Sequence, residues 1–445
     1  MVVAGPRRWA IALGAAALVV RLPLIVGPHP PYPGSDSAFY LSLAGDILHG
    51  HGFSRAGEFY TPGYPAVLAV LRLLPGRTED AISVMQHLLG VGVVVALVLC
   101  GWRWFGMAPA LAAGAIAALA PLLPVHEHAI LPDFLFGVCV LAGAFLLAEA
   151  ATRAPPAPWP LVAAAGVAFG AAAWLKPAGE VLVIAAPLAL LAATRQWRAA
   201  GLVVAAMVLT ISPWLVRNAH DYGLPSMSNQ GGQTLFNRVF EVDEIPFPSD
   251  SRYAPLAQKV RKEKPPRFNS AFRVALVRDE GMTTDHAIAT EADIALTAIR
   301  RHPGTYAVGT FREVGRSAGD MRDDEEPYPV VRPQIHGRPL PAWLATAPWA
   351  VGRVLVDAWW IVTLFGATAL IVPFVGPERS RKAGTVLLVI GLGVLFGTAL
   401  SHGALWRYSM QVAPLAWLLG SAGTAALVRL VVTRTSASPA SEPIR

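Results

Sequence analysis

Residues 81–102 read AISVMQHLLGVGVVVALVLCGW, and Arg103 follows at once. Ser83, Gln86 and His87 sit near the start of this run, and no charged residue falls within it. A helix rises about 1.5 Å per residue through a hydrocarbon layer about 30 Å thick, so roughly twenty apolar residues suffice to cross. The stretch is a membrane span, and the same pattern recurs along the chain. It predicts Trp9–Val26, Ala81–Trp102, Met107–Leu123, Phe134–Ala151, Trp159–Leu175, Ala178–Ala193, Gly201–Val216, Val351–Val375, Ala383–Leu400 and Ser409–Val431. The fold class is therefore all-α, a polytopic membrane protein of about ten transmembrane helices.

Composition agrees. Of 445 residues, 54% are hydrophobic and only 15% charged, against about a quarter charged in ordinary soluble domains. This excludes a soluble enzyme, a disordered chain and a nucleic-acid binder. Cys100 and Cys139 both lie inside apolar runs, which leaves no disulfide framework. Arg7 and Arg8 precede an apolar stretch without a clear small-residue cleavage site, so the first span reads as an uncleaved anchor.

Charge then sets orientation. Arg7, Arg8, Arg103, Arg153, Arg195, Arg198, Arg379, Arg381, Lys382, Arg429 and Arg434 fall at alternate junctions. Basic junctions stay in the cytoplasm. The opposite face receives residues 27–78, 124–133, the 175–180 turn, a polar segment 218–345 and the 401–408 turn. Segment 218–345 holds 16 Lys+Arg against 17 Asp+Glu, so the basic excess belongs to the membrane part. The expected organisation is an N-terminal bundle (1–217) with a catalytic first outer loop (27–78), an extracytoplasmic lobe (218–345), C-terminal spans (346–433) and a disordered cytoplasmic tail (434–445). Phe39, Leu43, Ala44, Ile47 and Leu48 share one helical face, predicting a short interfacial helix ending near Gly50. Pro62–Leu74 is too short to span and reads as a re-entrant piece. Residues 285–301 and a segment opened by Pro303 read as helices of the lobe.

The residues able to carry chemistry gather on the outer face. Asp36 suits a helix N-cap or a base held ionised at a helix start. Asp133 has the same two uses, with His126, Glu127 and His128 just upstream. Two histidines around a glutamate are metal-competent, but their spacing matches no zinc motif. A divalent ion is thus the lesser reading, and no cofactor is assigned. Lys176, Arg217 and Arg407 stand at outer span ends, where positive-inside bias disfavours them. They either snorkel or meet an anionic partner such as a lipid phosphate. Arg353 and Asp357 lie one turn apart and read as an internal pair. Gly391, Gly393 and Gly397 read as helix packing. No Walker motif or serine elbow is present, so energy for a reaction arrives with an activated substrate.

Several of these segments, in order, resemble the bacterial GT-C membrane glycosyltransferases, near the protein O-mannosyltransferase-like proteins and the aminoarabinose transferase of lipid A. They are Asp36-x3-Tyr40-x3-Ala44, Tyr60-Thr61-Pro62-Gly63-Tyr64-Pro65, Leu131-Pro132-Asp133, Leu175-Lys176-Pro177, Pro213-Trp214-Leu215-Val216-Arg217-Asn218 and Arg407-Tyr408-x5-Pro414. Ser37 departs from the Asp-Glu pair common in the family. The resemblance implies inverting transfer of a sugar from a polyprenyl-phosphate donor to a lipid, glycan or protein hydroxyl at the outer face of the bilayer. In that reaction Asp36 is the base. Asp133 orients hydroxyls, and Lys176, Arg217 and Arg407 face the phosphate. Tyr40, Tyr64, His126, His128, Asn218, His402 and Tyr408 are substrate contacts. The alternative, a lipid-linked saccharide flippase, calls for polar residues at mid-membrane between repeated halves. Here they cluster at one face.

Overall fold

A computed structural model describes residues 5–26, 36–53, 60–120, 122–223, 225–319, 364–402 and 410–436. Its membrane part is built from α1 (Pro6–Val26), α4 (Thr78–Phe105), α5 (Met107–Leu119), α7 (Asp133–Thr152), α8 (Trp159–Leu175), α9 (Leu182–Thr194), α10 (Trp197–Tyr222), α16 (Glu378–Ser401) and α17 (Ala413–Ser436). Among the described residues there is no strand, and seven helices are long and apolar enough to cross a membrane. The predicted third span comes out shorter, as α5 with 13 residues, whereas the fifth is found with its predicted bounds as α8, 17 residues long. Ala120 turns extended after α5, and the chain restarts as the short α6 (Leu122–Glu127). Most of the predicted span Val351–Val375 lies outside the described residues, together with Arg353 and Asp357.

Local chemistry explains the ends. Glu79 and Asp80 open α4 and Arg103 closes it, each complementing the helix dipole. Gly223, at φ +73°, stops α10 in the left-handed conformation that glycine adopts without strain. Two glycines of α16 serve close packing, as expected: a Cβ on Gly393 would meet Ala185 at 2.5 Å, and one on Gly397 would meet Val181 at 2.6 Å.

The basic junctions converge. Arg103 grips Glu149 through two bonds of 2.7 and 2.8 Å, Arg153 reaches the same carboxylate, and Ser380 Oγ donates to Trp104 O at 2.6 Å. The C-termini of α4 and α7 and the N-terminus of α16 therefore share one end of the bundle. The short helices α2 (Ser37–Leu48) and α3 (Gly63–Leu71) precede α4; α2 ends just before Gly50 (φ +76°), so a short helix stands where the sequence predicts one.

The polar segment builds its own core. After α10 come α11 (Gln230–Asn237), α12 (Ala254–Lys262), α13 (Phe268–Asp279), α14 (Thr284–Arg301) and α15 (Pro303–Gly319). Phe236, Phe240, Phe272, Leu276, Ile294 and Ala298 are buried together there, apart from the membrane core. This lobe docks on the bundle through Arg238, whose Nε donates to Ala399 O at 3.2 Å, and through Tyr306, whose hydroxyl donates to Leu400 O. Residues 320–345 of the predicted lobe lie outside the described residues.

Candidate active site

The site is assembled from loops at the end of the bundle opposite the Arg103–Glu149 contact. Thr61 Oγ donates to Leu175 O at 2.9 Å. Gly63 lies so close to the end of α8 that a Cβ there would meet Trp174 O at 2.6 Å. The absence of a side chain thus lets the Thr61-Pro62-Gly63 turn seat α3 against Leu175-Lys176. Tyr64 follows, fully buried, with Tyr40 of α2 edge-on to it at 5.2 Å and edge-on to Tyr60 at the same distance.

Asp36 stands at the N-cap position of α2, yet its side chain accepts no capping bond. The capping use is therefore not realised, and the carboxylate is half-buried beside an aromatic cluster. Burial, with the Asp36 charge added, pushes the Tyr60 phenol up to about 12. Ser37, the departure noted in the sequence, is fully buried, and its hydroxyl donates to Ile130 O at 2.8 Å. That bond ties the start of α2 to the loop that leads into Asp133.

Asp133 is the first residue of α7, with Pro132 and not Asp133 in the cap position. The residue as a whole is 2% exposed. Its carboxylate Oδ1 receives Lys176 Nζ at 2.6 Å and Gln411 Nε2 at 2.9 Å. Gln411 reaches it because Gly137, one turn along α7, leaves room for the Gln411 backbone, which a Cβ would approach to 3.3 Å. The structure thus joins Tyr40, Tyr64, Asp133 and Lys176 at one place, with Asp36 held next to them by Ser37.

Below this site is an ionic network that the sequence reading did not identify. Arg21 of α1 and Glu127 are both fully buried and joined by two bonds of 2.7 Å. His87 Nδ1 lies 2.8 Å from the same carboxylate, its Nε2 lies 3.2 Å from His128 Nδ1, and Ser83 Oγ is 2.9 Å from that nitrogen. Gln86 donates to Glu127 O and Ala129 O at 2.8 and 2.9 Å. His128 is engaged inside this network, and His126 is buried on α6. An arginine within an apolar span is itself the signal that could have revealed it.

The remaining candidates lie elsewhere or outside view. Arg217 is paired with Asp221 at 3.0 Å, donates to Asn218 Oδ1 at 2.8 Å and lies over the Trp214 ring. Asn218 is buried and donates to Ser226 O. Trp214 connects this corner to Trp174, the residue before Leu175-Lys176, with ring centres 6.3 Å apart. His402 is bonded by Ser401 at 2.7 Å. Arg407 and Tyr408 lie outside the described residues. Among the described residues no three His, Cys, Asp or Glu side chains are grouped to hold a metal ion.

The family model described as dolichyl-phosphate-mannose-protein mannosyltransferase matches residues 60–216, the stretch that carries Tyr64, Asp133 and Lys176. Among solved structures, the archaeal oligosaccharyltransferase AglB from Archaeoglobus fulgidus, in complex with an inhibitory peptide and a dolichol-phosphate, is similar over 99% of this chain, with a TM-score of 0.51 at 13% identity. The fold is GT-C. This GT-C chain spans about half the length of the archaeal protein (53%). A second GT-C structure, ArnT from Cupriavidus metallidurans bound to undecaprenyl phosphate, is 17% identical over 98% of this chain and 82% of its own, with a TM-score of 0.42. No curated protein matches the chain.

Proposed function

We propose that this protein is a multi-pass glycosyltransferase of the plasma membrane. It moves a sugar from a polyprenyl-phosphate donor to a hydroxyl acceptor at the extracytoplasmic face, with inversion. The observation that carries this reading is the coupling of two carboxylates at one end of the bundle. Asp36 is unused as a cap, and Asp133 is paired with a cation, their loops joined by the Ser37–Ile130 bond. The matching family's description names a lipid-phosphate sugar.

The step needs a base and a cation. The Asp36 carboxylate takes the acceptor hydroxyl proton. The acceptor oxygen bonds to the anomeric carbon from the face opposite the phosphate. The carbon–oxygen bond to phosphate breaks, and its electron pair stays on the phosphate oxygen. Lys176 supplies positive charge to that oxygen, with Arg217 and Arg407 as the further phosphate-facing cations. Asp133 holds Lys176 in place and orients hydroxyls.

Purified protein offered a panel of polyprenyl-phosphate sugars is expected to release polyprenyl phosphate and glycosylate an alcohol acceptor. Asp36→Asn is expected to lose about 10²–10⁴-fold in turnover, although asparagine caps a helix as well as aspartate does. Near wild-type turnover in the folded variant would move the base elsewhere, with Asp133 next. A cysteine placed at position 260 is expected to be labelled in intact cells while one at 380 is protected, and the reverse pattern would put the site in the cytoplasm.

A further inference from the structure

Two buried polar groups beside Asp133 have no bond within the protein: the hydroxyl of Tyr64 and the side-chain carbonyl oxygen of Gln411. Both residues are almost fully enclosed, at 0% and 1% exposure. A polar atom removed from water and left unpaired is costly, and native proteins keep few of them. The Gln411 amide is not free to turn its other end. Its Nε2 donates to Asp133 Oδ1 at 2.9 Å, a bond that only the NH2 end can make. That bond fixes Oε1 as the end of the amide left as a buried acceptor without a donor. Tyr64 contributes a hydroxyl in the electrostatic field of the same carboxylate. Lys176, the phosphate-facing cation of the proposed reaction, is bonded to the same Asp133 oxygen as Gln411.

We infer that Tyr64 and Gln411 form a subsite for the hydroxyls of the donor sugar, next to the phosphate held at Lys176. A sugar hydroxyl donates to Gln411 Oε1, and a second sugar oxygen exchanges a hydrogen bond with the Tyr64 hydroxyl. The ligand class is a neutral polyhydroxylated ring, because the two open valences are one acceptor and one hydroxyl, neither of them charged. Buried groups that wait for a partner also give selectivity: a ligand lacking the matching hydroxyl leaves them unpaired and is rejected. This inference rests on the lipid-phosphate donor proposed above.

The test is binding, read separately from turnover. Detergent-solubilised wild-type protein is titrated calorimetrically with polyprenyl-phosphate hexose and with bare polyprenyl phosphate. Each titration is repeated with Tyr64→Phe and Gln411→Met. Wild type is expected to bind the hexose-bearing lipid about tenfold or more tightly than the bare one, the size of one or two well-made buried hydrogen bonds. Both variants are expected to lose that preference while still binding bare polyprenyl phosphate. Tyr64→Phe is also expected to melt at the same temperature as wild type or higher, since it removes an unpaired buried hydroxyl. Equal wild-type affinity for the two lipids, or a preference that survives both substitutions, would overturn the subsite and leave the phosphate site standing. A lower melting temperature in Tyr64→Phe would show the hydroxyl to be a structural group and overturn the subsite as well. Failure of either lipid to bind would overturn the donor reading itself, and the subsite with it.

Discussion

Two buried ion pairs lie close together in this molecule, and they are built differently. Arg21 and Glu127 are both 0% exposed and meet through two parallel bonds of 2.7 Å, with His87 closing a third side of the carboxylate. Lys176 and Asp133 meet through one bond of 2.6 Å, with side chains 14% and 3% exposed, and Gln411 shares the same oxygen. The first pair is sealed and internally satisfied. The second keeps a compact, turnable ammonium that is partly exposed, beside two polar groups with unmet hydrogen bonds. A planar guanidinium clamps, whereas an ammonium on a flexible stem can be exchanged between partners. The difference separates a pair that holds helices in register from one that a substrate can enter.

The strongest way to break this contrast is at Glu127. Removing one partner of a buried pair leaves an uncompensated charge and costs about 3–5 kcal/mol. Glu127→Ala is therefore expected to abolish stable folding, read as loss of a monodisperse peak and of a melting transition. The double variant Arg21→Met with Glu127→Leu is expected to recover most of the stability, because paired charges replaced by apolar groups are often neutral. A stable, monodisperse Glu127→Ala protein would show that the pair clamps nothing.

A third buried carboxylate sharpens the scale. Glu291 of α14 is fully enclosed in the lobe, neither of its oxygens has a hydrogen-bond partner, and Arg273 comes no closer than 3.9 Å. Burial pushes its carboxyl up to about 8, Arg273 pulls it down, and nearby Glu241 adds to the rise. The native state then keeps a proton that the unfolded chain gives up near pH 4.5. Stability is fully present below that pH and falls as pH climbs towards 8, by up to a few kcal/mol. Melting scans from pH 5 to 8.5 are expected to show a decline that Glu291→Gln flattens. Identical slopes for the two proteins would show that Glu291 is ionised in the fold.

At the open pair the expected effects move from stability to function. Lys176→Met is expected to lower donor use about tenfold or more, equivalent to roughly 1.5 kcal/mol for a charge-assisted contact. Its melting temperature is expected to fall less than that of Glu127→Ala, because Gln411 still donates to Asp133. Unchanged donor use with a large melting loss would make Lys176 a second clamp.

These pairs also mark how far the sequence could be read. Most of the spans and the basic end of the bundle follow from apolar runs and from Arg103, Arg153 and Arg379, because hydropathy and charge are local properties. Leu131-Pro132-Asp133 and Leu175-Lys176-Pro177 were legible as short motifs, though not their bond to each other. Arg21 and Glu127 stand 106 residues apart, and Gln411 stands 278 from Asp133. Nothing in the periodicity of one helix names its partner on another. The short α5 also escaped, since an apolar run through Leu123 hides the backbone break at Ala120.

Ser37 is where the two regions touch, and it offers the smallest and most specific effect. In sequence it is a small polar residue at a helix start, which suggests a cap. In the fold it is fully buried and its hydroxyl goes across to Ile130 O. Ile130 sits in the loop that Gln86 holds from the clamped side, by its bonds to Glu127 O and Ala129 O. The hydroxyl therefore fixes the Asp36 end of α2 against the loop that carries Asp133. Deleting one neutral buried hydrogen bond costs about 1 kcal/mol of stability, so Ser37→Ala is expected to fold with a slightly lower melting temperature. Misplacing a catalytic group by a fraction of its reach costs more than that in rate. Turnover is thus expected to fall about tenfold or more, with little change in KM for the lipid donor, and Ser37→Thr, which keeps the hydroxyl, is expected to restore part of it. Ser37→Glu has no room beside Ile130 and is expected to be worse than alanine in both readouts. If Ser37→Ala lost stability and turnover in the same modest proportion, with no excess in kcat, the bond would serve folding only, and the two carboxylates would act without being held together by it.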